Sequence, residues 1–120
     1  MKIDIWLRNS IIIFSLLFMA GCTHRERARE ALLKEDLYHM RTTIDKYTQD
    51  KQMAPQHLTD LVSAGYLHAI PEDRFTNSAS TWVELREDIL QRIDQTQPGI
   101  SDVRSGSNLV SSEGTRYDSW

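Results

Sequence analysis

The single cysteine of this 120-residue chain, Cys22, follows an N-terminal apolar run almost directly. Nine of the ten residues at 11–20 are apolar, and Lys2 and Arg8 precede them. This run is about half of the roughly 20 apolar residues that a helix needs to cross a bilayer. A charged start, a short apolar segment and small residues at its end are typical of an export signal. We therefore expect the segment ahead of the cysteine to direct export and then to be removed.

The residues that end this segment, Leu-Leu-Phe-Met-Ala-Gly-Cys at 16–22, resemble the lipobox of bacterial lipoproteins. The resemblance implies cleavage between Gly21 and Cys22 and attachment of lipid, including palmitate, at Cys22. Met19 departs from the pattern, because lipoboxes most often carry leucine there. Thr23 rather than aspartate follows the cysteine, which in lipoproteins of Gram-negative cells favours the outer membrane. The resemblance therefore implies a cell-envelope protein anchored by lipid at the outer membrane and facing the periplasm. An ordinary signal peptide or an uncleaved short anchor is the alternative.

The charge and the cysteine count narrow the class of protein further. The chain carries 14 basic and 17 acidic residues, a formal net charge of -3 at pH 7. This near balance argues against a nucleic-acid partner, which needs a clustered basic face. Once residues 1–21 are removed, about 100 residues remain, enough for one small domain. With Cys22 held by lipid, no cysteine is left for a disulfide. We expect residues 29–120 to form the domain and residues 22–28 to tether it.

An amphipathic helix is predicted from about Arg27 to about Asp50. Its apolar residues recur at helical spacing and share one stripe: Leu33, Leu37, Met40, Ile44 and Tyr47. The polar residues just before it are interpreted as a loose tether or as the frayed start of the same helix. We expect the stripe to pack in the domain's own core, and a coiled-coil seam for a partner is the alternative.

A second, two-turn helix is predicted between Pro55 and Gly65. Proline is tolerated at a helix start, and glycine ends helices in the left-handed conformation. The predicted buried face of this helix consists of Leu58, Leu61 and Val62.

Short strands are predicted in the second half of the chain. Residues 81–85 are rich in aromatic and β-branched side chains, as strands are, and residues 100–103 could form a second strand. Residues 89–93 are ambiguous between helix and strand, and Ile-Pro-Glu-Asp at 70–73 is predicted as a solvated turn. The order of elements predicts an α+β fold in which a long N-terminal helix and a short second helix pack on a small antiparallel sheet.

Short motifs follow one another in order from about Ala28 to Trp120. They are the helical run at 30–48, Ala-Pro-Gln at 54–56, Ala-Gly-Tyr-Leu at 64–67, Ile-Pro-Glu-Asp at 70–73, Asp-Val-Arg-Ser-Gly-Ser at 102–107 and Glu-Gly-Thr at 113–115. In order and spacing they resemble the globular part of the type II secretion major pseudopilins, general secretion pathway protein G. The resemblance implies a long helix packed on a three- or four-stranded antiparallel sheet, no catalytic activity, and a place in a secretion pseudopilus or a type IV pilus-like machine.

The chain departs from the pseudopilins at its N-terminus. Pseudopilins carry a peptidase site in which glycine is followed by an aromatic residue and then a glutamate, inside a continuous hydrophobic helix. Here Gly21 is followed by Cys22 at the end of the apolar run, and no such glutamate is present. The polymerising membrane helix is therefore interpreted as replaced by a lipid anchor. A smaller departure is Arg74, where the family commonly has proline.

The sequence offers little for an enzyme. Four histidines lack metal-ligand spacing with one another: His24, His39, His57 and His68. Ser-Gly-Ser at 105–107 lacks the second glycine of a nucleophile elbow, and no glycine-rich phosphate loop is present. Glu72 and Asp73 are adjacent and are expected to lie in the solvated turn rather than to act as an acid–base pair. We predict no catalytic residues and no small-molecule substrate.

Resemblance to the G-type pseudopilins suggests calcium in the C-terminal loop. Calcium takes six to eight oxygen ligands, and tight sites draw on several carboxylates. The loop at 105–117 offers Glu113 alone, with Asp118 just beyond it. Asp118 is the best ligand candidate, and we expect calcium binding to be weak or absent. The alternative is a hydrogen-bonded loop held against the sheet by Tyr117 and Trp120. No other cofactor is predicted.

Two functions of different class follow. The first is a non-catalytic, lipid-anchored, pseudopilin-like component of a type II secretion or type IV pilus-like system. Its partners would be the lipid membrane, reached through Cys22, and other pseudopilins or secretion-machine proteins. The second is a free-standing envelope lipoprotein whose pilin-like domain binds a ligand or partner unrelated to secretion.

Overall fold

The protein has the predicted α+β fold, built on one long helix. The computed structural model describes the backbone of residues 2–90 and 93–120 and the side chains of residues 23–90 and 93–120. In chain order the elements are α1 (Lys2–Lys51), α2 (Leu58–Ser63), β1 (Val83–Arg86), β2 (Ile100–Arg104) and a 3-10 helix (Tyr117–Ser119).

The predicted apolar stripe of α1 lies in the core. Four of its residues are at most 2% exposed: Leu33, Leu37, Met40 and Ile44. The fifth, Tyr47, is half-buried and packs edge-on against the ring of Tyr66, with the ring centroids 5.4 Å apart. The stripe therefore packs within its own domain as predicted, and the coiled-coil alternative is wrong.

α1 begins well before the predicted start of the helix. The chain is already helical through residues 23–29, and the side chains of residues 23–28 are exposed. This stretch contains neither glycine nor proline, and arginine, glutamate and alanine favour helices, so the helix continues without support from the domain. Of the two interpretations of the predicted tether, the start of the helix is correct for residues 23–28.

α2 is shorter than predicted, because carboxylates rather than Pro55 set its start. The Asp60 carboxylate accepts the main-chain N–H of Gln56 at 2.8 Å. Glu84 of β1 accepts the N–H of Leu58 at 2.9 Å. These acceptors satisfy N–H groups that a helix start leaves free, and Glu84 also fixes α2 to the sheet.

The buried face and the end of α2 agree with the predictions. Leu58 and Leu61 are buried, and Val62 is half-buried. Gly65 has a φ of 82°, in the left-handed region that glycine adopts without steric cost. The chain leaves the helix there, as the sequence predicts.

The sheet has two strands in the described residues, fewer than the pseudopilin resemblance implies. β1 and β2 pair antiparallel, with Val83 opposite Arg104. Both predicted strands are present, and their ends differ from the predicted ones by two residues at most. The other pairings described are two isolated bridges, one in the turn at 73–78 and one in the loop at 110–116. Both segments reverse within a few residues, so neither bridge extends into a longer ladder.

The segment at 89–93, ambiguous from its sequence, is neither helix nor strand where it is described. Ile89 and Ile93 are 71% and 105% exposed. Residues 91 and 92 lie outside the described residues.

The core lies between α1 and β2. The antiparallel pairing skips Ser101, because Leu85 pairs with Asp102 and the next residue pairs with Ile100. A bulge of this kind adds one residue to a strand and changes which side chains face inward. It accounts for the complete burial of Ile100 and Val103, which are three residues apart.

The turn at 70–73 is not solvated as predicted, because it buries Asp73. Asp73 is 0% exposed, whereas Glu72 is exposed. The Asp73 carboxylate accepts hydrogen bonds from Ser105 Oγ at 2.6 Å and from the N–H of Gly106 at 3.2 Å. A carboxylate can leave water when it receives such donors. Asp73 therefore ties this turn to the end of β2.

Candidate functional site: Glu30 and the C-terminal loop

The predicted lipid attachment and cleavage site, Gly21 and Cys22, lies outside the residues whose side chains are described. The backbone of both residues belongs to α1. Among the described residues, no helix has the length and apolarity needed to span a bilayer. Lipid attachment at Cys22 stays a prediction.

The two carboxylates that could serve as calcium ligands, Asp118 and Glu113, both face cations. Asp118 is half-buried and accepts two hydrogen bonds from the Arg116 guanidinium, at 3.1 and 2.5 Å. Glu113 pairs with Lys34, with 3.0 Å between Nζ and Oε1. Within the described residues, no three acidic, histidine or cysteine side chains cluster as metal ligands would. Calcium would have to displace both cations, and weak or absent binding stays our prediction.

A carboxylate of α1, Glu30, organises the C-terminal loop. Glu30 is 5% exposed. Its Oε1 accepts the main-chain N–H of Ser112 at 2.7 Å and the hydroxyl of Tyr117 at 2.8 Å. Its Oε2 accepts the hydroxyl of Ser112 at 2.5 Å. We call Glu30, Ser112 and Tyr117 the Glu30 site.

The Glu30 site holds its carboxylate ionised. Burial alone would raise the pKa of Glu30, but the hydrogen bonds from Ser112 and Tyr117 outweigh burial and hold it below its ordinary value. Burial and the bond to Glu30 raise the pKa of the Tyr117 hydroxyl above its ordinary value. Both shifts favour the same arrangement, in which an ionised carboxylate accepts from a neutral phenol.

Aromatic rings surround the Glu30 site. The rings of Phe75 and Tyr117 stack with centroids 3.8 Å apart, and Trp120 packs edge-on against Tyr117 at 5.0 Å. The Arg29 guanidinium lies 4.5 Å from the Phe75 ring centre, and Lys34 Nζ lies 4.5 Å from that of Trp120. Two cations of α1, five residues apart, therefore contact the two ends of an aromatic row.

A second residue of α1, Arg41, fixes the end of the described chain. Its guanidinium donates to Asp102 Oδ1 at 2.6 Å and to the main-chain oxygens of Val103 at 2.9 Å and Trp120 at 2.8 Å. Arg41 thus links β2 to the segment after the loop. The loop is hydrogen-bonded, and Tyr117 ties it to Glu30 of α1, whereas the alternative to a calcium loop had it held against the sheet.

Glu30 was not predicted as a site residue, although one signal for it was present in the sequence. Glu30 lies three residues before Leu33 and seven before Leu37, so it continues the apolar stripe by one turn. An acid in register with a buried stripe predicts a partner inside the fold. The partner itself was not identifiable, because Ser112 and Tyr117 are more than 80 residues away.

Among the residues whose side chains are described, no histidine forms a hydrogen bond with a serine hydroxyl. Ser105 Oγ is buried and donates to Asp73. All four histidines are exposed: His24, His39, His57 and His68. His57 Nδ1 lies 3.3 Å from Glu84 Oε2, beside the start of α2. The Glu30 site itself fastens the loop to α1.

Several grooves flank α1 in the domain. A polar groove of about 440 Å3 lies beside Arg29, Asp36 and Arg74, where burial raises the pKa of the Asp36 carboxyl. A more apolar groove of about 350 Å3, which we call the Trp120 groove, is lined by Lys34, Leu37, Tyr38, Arg41, Glu113 and Trp120.

No protein-family model, curated protein or solved structure matches this chain.

Proposed function

We propose that the protein is a non-catalytic, lipid-anchored component of a type II secretion or type IV pilus-like system, built on a pseudopilin-like domain. The observation that carries the proposal is that α1 continues without a break from Cys22, the proposed point of lipid attachment, into the core stripe of the domain. At 1.5 Å per residue, the helix rises about 10 Å between Cys22 and Arg29, where it begins to pack on the domain. A domain packed around the last part of such a helix is suited to presentation at a fixed distance from a membrane.

The chemistry of the buried carboxylates supports a structural role. Glu30 and Asp73 each receive several hydrogen bonds from the protein. A general acid or base needs access to the proton that it transfers. Both acids instead join distant parts of the chain, as expected of a subunit whose task is to hold a shape.

Replacing Cys22 with alanine is expected to abolish incorporation of labelled palmitate and to leave an unprocessed precursor or a periplasmic protein. The physical reason is that the thiol that accepts the lipid is lost. Metabolic labelling and fractionation measure both effects. Met19→Leu, which restores the usual lipobox residue, is the matched control and should label at least as well as the wild type. Label in the Cys22→Ala protein, or none in the wild type, would overturn the lipid anchor.

Loss of the gene in its host is expected to leave exported proteins trapped in the periplasm. Proteomic comparison of the medium and the periplasm measures this effect, and a plasmid carrying the wild-type gene should reverse it. A plasmid carrying Cys22→Ala should reverse it poorly, because the domain would no longer be held at the membrane. An unchanged set of secreted proteins would contradict the secretion role.

The Trp120 groove favours the second candidate function, a free-standing envelope lipoprotein that binds a ligand or partner. Tyr38 on its wall is 72% exposed, and the Trp120 ring lies beside the Lys34 ammonium. Aromatic side chains of this kind are common in binding surfaces. An unchanged pattern of secretion in cells that lack the gene would favour this function over the first.

A further inference from the structure

We propose that the start of the described helix docks on anionic lipid headgroups through Arg25 and Arg27, and so holds the domain close to the bilayer surface. This inference rests on the proposed lipid anchor at Cys22. It adds a second, electrostatic contact between the protein and the membrane.

Arg25 and Arg27 are free to meet such a surface. Both are exposed, and neither forms an ion pair or a hydrogen bond with another residue whose side chain is described. Other arginines are paired, for example Arg41 with Asp102 and Arg116 with Asp118. The two guanidinium groups are therefore available to an external partner.

Their positions along α1 place them near the bilayer if Cys22 carries lipid. At a rise of 1.5 Å per residue, Arg25 and Arg27 lie about 4.5 and 7.5 Å along the helix from Cys22. The Debye length at physiological ionic strength is about 8 Å. Both charges would thus act within the range over which an anionic surface attracts basic side chains.

Two further arginines lie at the same end of the domain. Arg29 Nη2 donates to the main-chain oxygen of Arg74 at 2.5 Å, so these residues are neighbours. The charges of these two arginines are partly balanced, since Glu26 pairs with Arg29 and Asp36 pairs with Arg74, each at 3.8 Å. The largely exposed stretch of α1 at residues 23–29 nevertheless carries three arginines and one acid, although the whole chain has a net charge of -3. Such an asymmetry favours one orientation on a negative surface.

The test measures fluorescence energy transfer from a donor on the domain to acceptor lipid in the bilayer. It uses the mature lipoprotein, which begins at Cys22. A donor fluorophore is attached through Ala79→Cys, which is exposed and close to the turn that holds Arg74. Cys22 carries lipid, so the new thiol is the one that reacts. The protein is reconstituted in vesicles of phosphatidylcholine alone or with phosphatidylglycerol added, each containing acceptor lipid.

We expect more efficient transfer on the phosphatidylglycerol vesicles at about 0.1 M salt, and no difference between the vesicles at about 1 M salt, where the Debye length falls to about 3 Å. The double substitution Arg25→Gln with Arg27→Gln should remove most of the difference. The matched control, Lys46→Gln with Lys51→Gln, removes two exposed charges from the other end of the described helix and should preserve it.

Equal transfer on both lipids, or an unchanged difference in the arginine variant, would overturn the docking proposal alone. Palmitate labelling of the same preparation separates this outcome from failure of the proposed anchor. If the protein labels with palmitate and shows equal energy transfer on both kinds of vesicle, the lipid anchor is supported and the docking surface is not. A protein that does not label overturns both.

Discussion

Replacing Leu37 with alanine is expected to lower the free energy of unfolding by about 2–5 kcal/mol. Leu37 is 2% exposed and lies in the middle of the core stripe of α1, so truncation removes buried apolar surface and leaves a cavity in the core. Domains of this size have about 5–15 kcal/mol of stability in total, so this is one of the largest effects a single substitution can have. Urea unfolding followed by tryptophan fluorescence measures it.

Leu32→Ala is the matched control for this experiment. It makes the same chemical change on a different face of α1, where Leu32 is 40% exposed, and it should lower the free energy of unfolding far less. An unchanged urea midpoint for Leu37→Ala would contradict the packing of the stripe in the domain core.

Replacing Glu30 with alanine is expected to destabilise the protein by about 1–3 kcal/mol for each buried donor that is left without a partner. The buried donor at risk is the Tyr117 hydroxyl, and the part-buried N–H of Ser112 also loses its acceptor. The C-terminal loop should open first, so its amide protons should exchange faster before the rest of the domain unfolds. Hydrogen exchange and urea unfolding measure the two effects.

Low pH should lower the stability of the wild-type protein through protonation of Glu30. The pKa of Glu30 in the folded protein lies below its unfolded value of 4.5. Its contribution to stability is therefore fully present above that unfolded value, and it is lost as the pH falls through the lower folded value. Glu30→Gln can retain the hydrogen-bonding geometry without the charge, and its stability should fall less steeply in acid than that of the wild type.

Glu35→Gln is the control for the acid experiment. Glu35 lies on the same helix, is exposed, and accepts no hydrogen bond described here. Its substitution should leave the acid dependence of stability as it is in the wild type. Parallel stability curves for the wild type and Glu30→Gln below pH 5 would contradict the role of Glu30.

The periodic parts of the fold were predictable from sequence. The buried stripe of α1 is visible in the sequence as apolar residues that recur at helical spacing. The buried leucines of α2 show the same spacing over a shorter segment. Buried acids leave no such repeat, because Asp and Glu are usually exposed and their donors are set by the tertiary fold. Asp73 receives its bond from Ser105, which is 32 residues away. The prediction of a solvated turn was wrong for that reason.

The strand count was wrong for a related reason. It came from resemblance to a family rather than from a pattern in this chain. The loop at 110–116 is held by side-chain bonds such as those of Ser111, whose hydroxyl accepts the N–H groups of Glu113 and Thr115. Such local bonds compete with a strand ladder for the same main-chain groups. Sequence alone does not show which of the two prevails.

The attachment of the C-terminal loop to α1 also governs when the domain can fold. The bond between Tyr117 and Glu30 joins residues 87 positions apart, and that between Lys34 and Glu113 joins residues 79 apart. Contacts between such distant residues form late and slow the folding of a chain. The apolar stripe of α1 can therefore be fully buried only when almost the whole polypeptide is present. A chain that crosses a membrane from its N-terminus onward would remain unfolded during transit and fold on arrival.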